Sequence, residues 1–465
     1  MNKILIKDPL VVATMNEEKE EFSGGHILIE NDKITSIGKH NLNIDADEII
    51  DARNMVILPG FINTHHHFYQ TLTRNIPRMQ NAPLFGWLND HYELWRELTL
   101  EGVTVSTKTA IAELMKSGTT TSSDHLYLFP QKNTTRLIDA EIQAAQEMGI
   151  RFYPTRGSMS LGRSKGGLPP DDVVQTEAKI KSDTKRLVAK YHDESEGSML
   201  RIALAPCSPF SVSAELMYST AKYAKSNNLL LHTHLAETID EEIFCIDKYG
   251  KRPVEHVESL GWINKNAWFA HAVHLNDEDI KLMGAAGCGV SHCPTSNLRL
   301  GSGIARVKEM IDAGISVSLG VDGSASNDSS NMLSEIRNAM LLSRLLDRKY
   351  WLTARDALHI ATRGGAQVLD RNDIGQLAIG KQADIAMFSV DSLEYAGGLT
   401  DPIAALVFTA RTAPVDFLMI NGKVQVRNGK LDFDENRHIH QHNRVSAEML
   451  SKATQNSGIN FMEEK

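Results

Sequence analysis

Residues 56–67 read Val56-Ile57-Leu58-Pro59-Gly60-Phe61-Ile62-Asn63-Thr64-His65-His66-His67, an apolar, strand-like run that ends in three histidines. His65 and His67 are two positions apart, and side chains at this spacing on a strand point to the same side. Both imidazoles can therefore reach a single metal ion. The stretch predicts a strand that presents metal ligands at its carboxyl end.

Short apolar runs of this kind recur along the chain and alternate with helical patterns. The predicted strands span residues 57–64, 119–124, 151–155, 201–205, 229–234, 267–271, 288–292 and 316–322. Helical patterns lie between them, for example at residues 103–117, 135–148 and 214–227. This repeated alternation predicts an α/β fold, a (β/α)8 barrel of the TIM type, whose active site lies at the carboxyl ends of the strands.

The two ends of the chain have a different pattern, the two-residue period of strands. Ile27–Ile29 and Ile34–Ile37 read as antiparallel strands near the start, and Asn421-Gly422 and Asn428-Gly429 are hairpin turn signals near the end. Neither end alone has enough strands for independent stability. We therefore expect residues 1–58 and 371–430 to form one small β-sandwich domain, residues 59–370 to form the barrel, and residues 431–465 to be a partly helical tail.

The composition excludes several classes of protein. The 465 residues are 42% hydrophobic and 23% charged, with a formal net charge of −9, and no strongly basic stretch favours a nucleic-acid partner. No run approaches the roughly 20 apolar residues of a membrane span, and the first residues lack the apolar stretch of a signal peptide. The four cysteines, Cys207, Cys245, Cys288 and Cys293, show neither a disulfide framework nor a CxxC pair. We expect a cytoplasmic enzyme with reduced thiols.

Four residues near predicted strand ends form a candidate metal-binding set. His65, His67, His234 and Asp322 offer nitrogen and oxygen donors and leave a position open for water, which is typical of catalytic zinc. Bound zinc lowers the pKa of its water from about 15.7 to about 7. The same ligands suit other first-row ions. We therefore expect one divalent metal ion, Zn²⁺, with Fe²⁺ as the alternative.

Taken together, these motifs resemble those of the amidohydrolase superfamily over nearly the whole chain. Residues 59–67 are similar to the family's first-strand metal motif, and Gly380-Lys381-Gln382-Ala383-Asp384 is similar to its returning β-domain. The strings at 234–237, 270–271, 291–297 and 320–327 resemble the mononuclear deaminase branch. Binuclear members carry a bridging lysine on strand four. Strand four here, Arg201–Pro206, has no lysine, which favours a single metal ion.

The resemblance implies catalytic roles for three residues. Asp322 would bind the metal and accept the proton of the attacking water, His271 would stabilise charge at the attacked carbon, and Glu237 would protonate a ring nitrogen of the substrate. Two of them have a plainer alternative: Glu237 as a surface or N-cap residue, and His271 as a core histidine with His274 in its place. His232 and His66 are expected to be packing residues or to support the ligands.

Five residues are candidates for contact with a small heterocyclic substrate. Gln70 can hydrogen-bond the edge of a purine or pyrimidine, and Trp87 can stack on a ring, although packing is the alternative for Trp87. Arg156 offers a fork for a carbonyl or carboxylate, with a structural salt bridge as the alternative. His292 ends the seventh predicted strand and Asn297 follows it, and these two residues complete the set.

Loop sequences narrow the resemblance. Residues 156–160, 166–171 and 322–328 most resemble the 8-oxoguanine deaminase subgroup. This resemblance implies hydrolytic deamination of an aminated keto-heterocycle, 8-oxoguanine in particular, with release of ammonia and urate. Isoxanthopterin, guanine and N-alkylamino-hydroxytriazine substrates are alternatives, as is a non-catalytic scaffold. The family resemblance also implies a homo-oligomer.

Overall fold

The computed structural model describes residues 2–133 and 136–463. Strands and helices within these residues are numbered in chain order. The strands are β1 (Lys3–Lys7), β2 (Val11–Ala13), β3 (Glu21–Phe22), β4 (His26–Glu30), β5 (Lys33–Gly38), β6 (Glu48–Asp51), β7 (Met55–Pro59), β8 (Phe61–Asn63), β9 (Thr119–Leu126), β10 (Arg151–Ser158), β11 (Ala203–Pro206), β12 (Leu231–Leu235), β13 (Ala267–His271), β14 (Gly289–His292), β15 (Ser316–Leu319), β16 (Ile385–Ser389), β17 (Phe417–Ile420), β18 (Lys423–Arg427) and β19 (Lys430–Leu431).

The helices lie mainly between the barrel strands. They are α1 (Leu84–Trp95), α2 (Leu100–Lys116), α3 (Leu137–Met148), α4 (Glu177–Tyr191), α5 (Ala214–Ser226), α6 (Ile239–Tyr249), α7 (Pro253–Ser259), α8 (Asp277–Ala285), α9 (Pro294–Arg299), α10 (Val307–Asp312), α11 (Met332–Leu342), α12 (Ala354–His359), α13 (Gly365–Val368), α14 (Pro402–Thr409) and α15 (Glu435–Ser457). Among the described residues, no helix combines the length and the apolar character that a membrane crossing requires.

Eight parallel strands close a barrel. Their order around it is β10-β11-β12-β13-β14-β15-β8-β9, so neighbours in the chain are neighbours in the barrel. The strand ends are buried, and helices separate most successive strands. The predicted (β/α)8 barrel is thereby confirmed, and each of the eight predicted strands overlaps a barrel strand.

Local side-chain chemistry places the starts of the connecting helices. α8 begins after Asn276, whose side chain accepts a hydrogen bond from the Asp279 backbone N–H at 2.7 Å while the Asp279 carboxylate accepts the Asn276 backbone N–H at 3.0 Å. This reciprocal pair satisfies two of the N–H groups that a helix start leaves unpaired. Ser213 caps α5 in the simpler way, by accepting the Leu216 N–H.

The apolar run at residues 57–64 is not one strand, as the sequence pattern predicts, but two strands in different sheets. β7 pairs with β16 in an antiparallel sheet, whereas β8 pairs with β9 in the barrel. The change of sheet occurs at Gly60, whose N–H donates to the Asp384 carbonyl at 2.9 Å. A Cβ atom on Gly60 would lie 2.1 Å from Cγ2 of Thr120, so the crossing requires glycine.

Strands from both chain ends build a second, smaller β-domain. It consists of a four-stranded sheet, β5-β4-β1-β6, and a seven-stranded sheet, β19-β18-β17-β16-β7-β2-β3. One apolar core joins the two sheets, and it includes Ile4 and Ile27 from the first and Ile57, Ile385 and Met419 from the second. The predicted β-domain from both chain ends is therefore present, while its boundaries at residues 58 and 371 stay predictions.

The tail folds as α15 and packs on the barrel side of the molecule. Glu435 pairs with Lys116 of α2 at 2.7 Å, and His438 Nε2 lies 2.9 Å from the Thr109 hydroxyl. Further along, the Ser446 hydroxyl donates to the Leu72 carbonyl at 2.6 Å. Leu72 belongs to the 3₁₀ turn Phe68–Thr73 that directly follows His67. The last helix therefore supports the segment beside the histidine cluster.

A buried ion pair fastens the barrel to the β-domain. Arg151 at the start of β10 donates through Nε and Nη2 to the Asp384 carboxylate at 3.0 and 3.1 Å, and both side chains are almost fully buried. Nη1 donates to the carbonyls of Gly197 and Ser198, both at 2.7 Å, and Nη2 also donates to Oδ1 of Asn421 at 3.3 Å. Asp384 also accepts the Asn421 backbone N–H at 2.7 Å. Both charges are thus paired and fully hydrogen-bonded.

Changing Asp384 to asparagine is expected to lower the free energy of unfolding by about 3–5 kcal/mol, because the Arg151 charge would stay buried without a partner. Urea denaturation followed by circular dichroism measures this. Glu30→Gln is the control, since Glu30 forms a partly exposed pair with Lys3 at 3.0 Å, which is worth about 1 kcal/mol or less. Equal losses in the two variants would contradict the prediction.

Candidate metal and catalytic site

The predicted metal ligands and catalytic residues meet at the carboxyl end of the barrel. His65 and His67 follow β8, His234 lies in β12, His271 ends β13 and Asp322 follows β15. All of these side chains are buried, with none more than 8% exposed. The ring centres of the three ligand histidines are 4.8–5.2 Å apart. The closed barrel thus brings together residues that are up to 257 positions apart in the sequence.

Backbone carbonyls fix the tautomers of two of these histidines. Nδ1 of His67 lies 2.8 Å from the His125 carbonyl, and Nδ1 of His234 lies 2.7 Å from the Cys207 carbonyl. A carbonyl only accepts, so each Nδ1 carries the hydrogen and each Nε2 presents a lone pair. The two Nε2 atoms are 3.2 Å apart. Two facing lone pairs at this distance fit a cation between them.

His65 is held in the same tautomer through a second histidine. His232 donates from Nδ1 to the Trp268 carbonyl at 3.0 Å, which leaves its Nε2 as the acceptor for Nδ1–H of His65 at 2.8 Å. Nε2 of His65 is then a buried lone pair with no hydrogen-bond partner. An unpaired buried acceptor of this kind is costly unless a metal ion binds it. The sequence predicts that His232 packs near the metal ligands or supports them, and the structure places it in a hydrogen bond with His65.

Asp322 adds an oxygen donor to the three imidazoles. Its Oδ1 is 3.4 Å from Nε2 of His65 and 3.3 Å from Nε2 of His67, and its Oδ2 accepts the Ser296 hydroxyl at 2.6 Å. Burial acts to raise the pKa of the Asp322 carboxyl, but its contacts with the histidines hold it well below the usual range. The group is thus an ionised carboxylate. Three imidazole nitrogens and one carboxylate oxygen fit a catalytic divalent metal ion.

The three histidines that we predict to be metal ligands are uncharged at neutral pH, as metal binding requires. Burial, together with the charges of neighbouring histidines, lowers the pKa of His234 to about 3. Burial also lowers the pKa of His65 and of His67, although Asp322 opposes the effect. No proton therefore has to be displaced from the imidazoles when a metal binds near pH 7.

His125 is a fourth imidazole at the site that sequence analysis missed. It lies in β9, and one of its nitrogens lies within 4.8 Å of nitrogens of His65, His67 and His234. Nε2 of His125 lies 2.9 Å from the Ala205 carbonyl, and its buried Nδ1 has no partner. The signal in the sequence was a histidine at the end of the second predicted strand, Thr119 to Asp124.

The backbone is strained at two of these positions. His271 has φ 70° and Asp322 has φ 62°, both in the left-handed region that residues other than glycine rarely adopt. Such strain persists only where the surrounding structure holds it in place, and it is concentrated at functional sites. His271 is the last residue of β13, and Asp322 lies three residues after the end of β15, so both strained positions are at the carboxyl end of the barrel.

Glu237 and His271 face each other beside the ligands. Oε2 of Glu237 is 3.7 Å from Nε2 of His271, which is itself 3.8 Å from Oδ2 of Asp322. Burial raises the pKa of Glu237 to about 7, with the charge of Asp322 adding to the effect. Burial lowers the pKa of His271, but the carboxylates of Glu237 and Asp322 outweigh it and the net shift is upward. With a pKa of about 7, Glu237 can hold or release a proton near neutral pH.

The site opens into a cavity of about 380 Å³, which includes its mouth to solvent. The residues that line it are His67, Gln70, Trp87, Leu88, Tyr92, Tyr127, Cys207, Phe210, His234, Glu237, His271, Leu300, Asp322 and Ser326. Gln70 Oε1 is buried without a hydrogen-bond partner, whereas Trp87 Nε1 donates to the Ala325 carbonyl at 3.3 Å. Within the described part of the chain, no lysine or arginine lines this cavity.

Three of the predicted substrate contacts do not line the cavity. Arg156 is buried, pairs with Asp183 at 2.9 Å and donates to Gln175 at 2.8 Å, which matches the alternative of a structural salt bridge. Oδ1 of Asn297 lies 2.9 Å from Nδ1 of His271, so this residue contacts a candidate catalytic group rather than the open space. His292 is buried at the end of β14, and burial lowers its pKa to about 3.

Residues 56–425 match the model of the amidohydrolase family. The chain belongs to the amidohydrolase family. The 8-oxoguanine deaminase of Pseudomonas aeruginosa (strain PAO1) is 45% identical over 435 residues, which cover 93% of this chain and 95% of that protein. The hydroxydechloroatrazine ethylaminohydrolase of Pseudomonas sp. (strain ADP) is 35% identical over 388 residues, which cover 82% and 80% of the two chains.

A solved structure extends the likeness of this amidohydrolase to the fold. The atrazine chlorohydrolase of Arthrobacter aurescens TC1, determined in complex with zinc, superposes with a TM-score of 0.91 at 33% identity and covers 95% of this chain and 100% of that one. Membership of the amidohydrolase family confirms the predicted hydrolase acting on carbon–nitrogen bonds. The buried imidazole set confirms the prediction that the cofactor is a divalent metal ion.

Proposed function

We propose that this amidohydrolase is a zinc-dependent deaminase of 8-oxoguanine, which it hydrolyses to urate and ammonia. The observation that carries the proposal is the cavity itself, where His67, His234, Asp322, Glu237 and His271 adjoin Gln70, whose Oε1 is buried without a hydrogen-bond partner. The 45% identity to an 8-oxoguanine deaminase over 93% of the chain supports the choice of substrate.

We assign the metal to His65, His67, His234 and Asp322. Their donor atoms converge, and the tautomers of the three histidines leave Nε2 free in each case. Zinc, when bound, acts as a Lewis acid and makes its water acidic near neutral pH. The chain's own contribution is to hold four donors without a proton to displace and to exclude bulk water from them.

The side chains around the metal site each have a separate role in the deamination. Asp322 is an ionised carboxylate and accepts the proton of the attacking water. Glu237, whose pKa is about 7, donates a proton to the ring nitrogen next to the attacked carbon. His271 stabilises the charge that develops on the atoms bonded to that carbon, and Asn297 holds its ring by accepting Nδ1–H. The proton held by Asp322 then passes to the amino group, the C–N bond breaks and ammonia leaves. The oxygen of water stays on the ring as the carbonyl oxygen, and its remaining proton restores Glu237.

The cavity wall suits an uncharged, planar base. The carboxamide of Gln70 offers a donor and an acceptor to the edge of a keto-purine. Trp87, Tyr92 and Phe210 supply aromatic and apolar walls for the ring faces. Because no lysine or arginine among the described residues lines the cavity, no such side chain there pairs with a phosphate or carboxylate of the substrate. We therefore assign the enzyme to free bases rather than nucleotides.

Ammonia release from a panel of heterocycles tests this function. The panel contains 8-oxoguanine, guanine, isoxanthopterin, cytosine, isocytosine and S-adenosylhomocysteine, with an N-alkylamino-hydroxytriazine scored for amine. We expect selective turnover of 8-oxoguanine by metal-quantified protein and none of S-adenosylhomocysteine, which carries a carboxylate. Preference for the triazine or for isoxanthopterin would overturn the substrate assignment while leaving the metal site in place.

A further inference from the structure

The segment between the ligand His234 and Glu237 is a sharp turn. His234 and Leu235 end β12, and Ala236 then adopts φ 51°, in the left-handed region. A non-glycine residue holds this conformation only when its surroundings impose it. The direction of the Glu237 side chain depends on this turn, because the two residues are adjacent in the chain.

The side chain of Glu241 binds the backbone N–H groups of this turn. Its Oε1 accepts the Ala236 N–H at 3.0 Å, and its Oε2 accepts the Glu237 N–H at 2.9 Å. From the other side, the Ala236 carbonyl accepts N–H groups of Val273 and His274, both at 2.9 Å. The peptide unit that precedes Glu237 is therefore fixed at both of its polar atoms.

The position of Glu241 differs from that of an ordinary acidic residue at a helix start. Asp240, Glu241 and Glu242 all lie in the first turn of α6, where negative charge is favourable. Glu241 is the fully buried one, whereas Glu242 pairs with Arg252 at 2.6 Å in a partly exposed position. Thr238 occupies the N-cap position of α6, but its side chain makes no hydrogen bond to the first turn of the helix. Both oxygens of the buried Glu241 carboxylate accept backbone N–H groups, so this side chain fixes the conformation of the backbone at residues 236 and 237.

We propose that Glu241 is a positioning residue that fixes Glu237 for proton transfer. This inference rests on the proposed role of Glu237 in the deamination reaction. The two-oxygen acceptor matches the two N–H groups, and glutamine would offer only one acceptor and would turn an N–H₂ group toward a backbone N–H. The Glu237 carboxyl would then lose its fixed distance to the substrate, while the metal ligands would stay in place.

A double-mutant cycle tests whether Glu241 acts through Glu237. Glu241→Gln is expected to lower kcat about 10–100-fold, since a misplacement of about 1 Å can cost about 10²-fold, with KM and bound metal close to wild-type values. In the Glu237→Gln background the same change is expected to have almost no effect, because the group it positions is already gone. Glu242→Gln is the matched control and is expected to behave as wild type.

Each outcome of the cycle decides the matter. Equal fold-losses from Glu241→Gln in both backgrounds, or loss of bound metal, would show that Glu241 supports the barrel as a whole and would overturn the inference. Wild-type kcat in Glu241→Gln would do the same. If Glu237→Gln alone keeps full turnover, the proposed role of Glu237 fails instead. Should Glu241→Gln not fold, Glu241→Asp, which keeps two acceptor oxygens on a shorter stem, carries the same cycle.

Discussion

Glu237→Gln is expected to lower kcat for deamination by about 10²–10⁴-fold, the usual contribution of a general acid–base residue. Glutamine has the shape of glutamate but cannot carry the transferred proton. Burial already raises the pKa of Glu237 to about 7, so the native group is poised to give and to take a proton. Ammonia release under saturating substrate, normalised to bound metal, measures the effect.

Metal content separates this result from a collapse of the site. Glu237 is not one of the four assigned ligands, so Glu237→Gln is expected to bind as much zinc as the native protein. Glu242→Gln, an isosteric change a few residues away on α6, serves as the control for a lost carboxylate. A variant that retained both metal and native kcat would remove Glu237 from the mechanism.

Removing the metal is expected to abolish turnover. Without a cation, the Nε2 lone pairs of His67 and His234 face each other at 3.2 Å and nothing activates the water. Dialysis against a chelator, followed by metal analysis and the ammonia assay, measures the loss. Adding zinc back is expected to restore activity in proportion to the metal bound.

The fold is the control for this second experiment. Circular dichroism of the chelated protein is expected to retain its helix and strand signal, since the barrel and its apolar core do not depend on the ligands. A lower melting temperature is expected as well, because binding of an ion to the native state alone stabilises it. Full turnover in protein that holds no detectable metal would refute the metal-dependent mechanism.

The barrel could be predicted from the sequence because its signals are local. Each strand is a short apolar run, and the ligands His65, His67 and His234 lie within or next to such runs. The division at Gly60 could not be predicted in this way, because an apolar run has the same pattern whether it enters one sheet or two. What decides it is the approach of Thr120, which comes from a distant strand.

The parts of the site that sequence reasoning missed, or to which it gave a different contact, depend on contacts between distant residues. In the sequence, Glu241 looks like a solvent-exposed acidic residue in the first turn of a helix. Only the folded structure shows that it is buried and that both of its oxygens accept backbone N–H groups. Arg156 suits a substrate carbonyl by its chemistry, yet Asp183 on α4 occupies it. Asn297 is a similar case, since it is also expected from the sequence to contact the substrate but its side chain contacts the ring of His271.

The packing of α15 has a consequence for recombination between related enzymes. This helix contacts the turn after His67 at two points: His442 lies 3.1 Å from the Thr71 hydroxyl, and Ser446 bonds the Leu72 carbonyl. A chimera that takes its barrel from one parent and its chain end from another would pair unmatched surfaces there. In such a chimera, the 23 residues of α15 and the turn Phe68–Thr73 are best taken from the same parent.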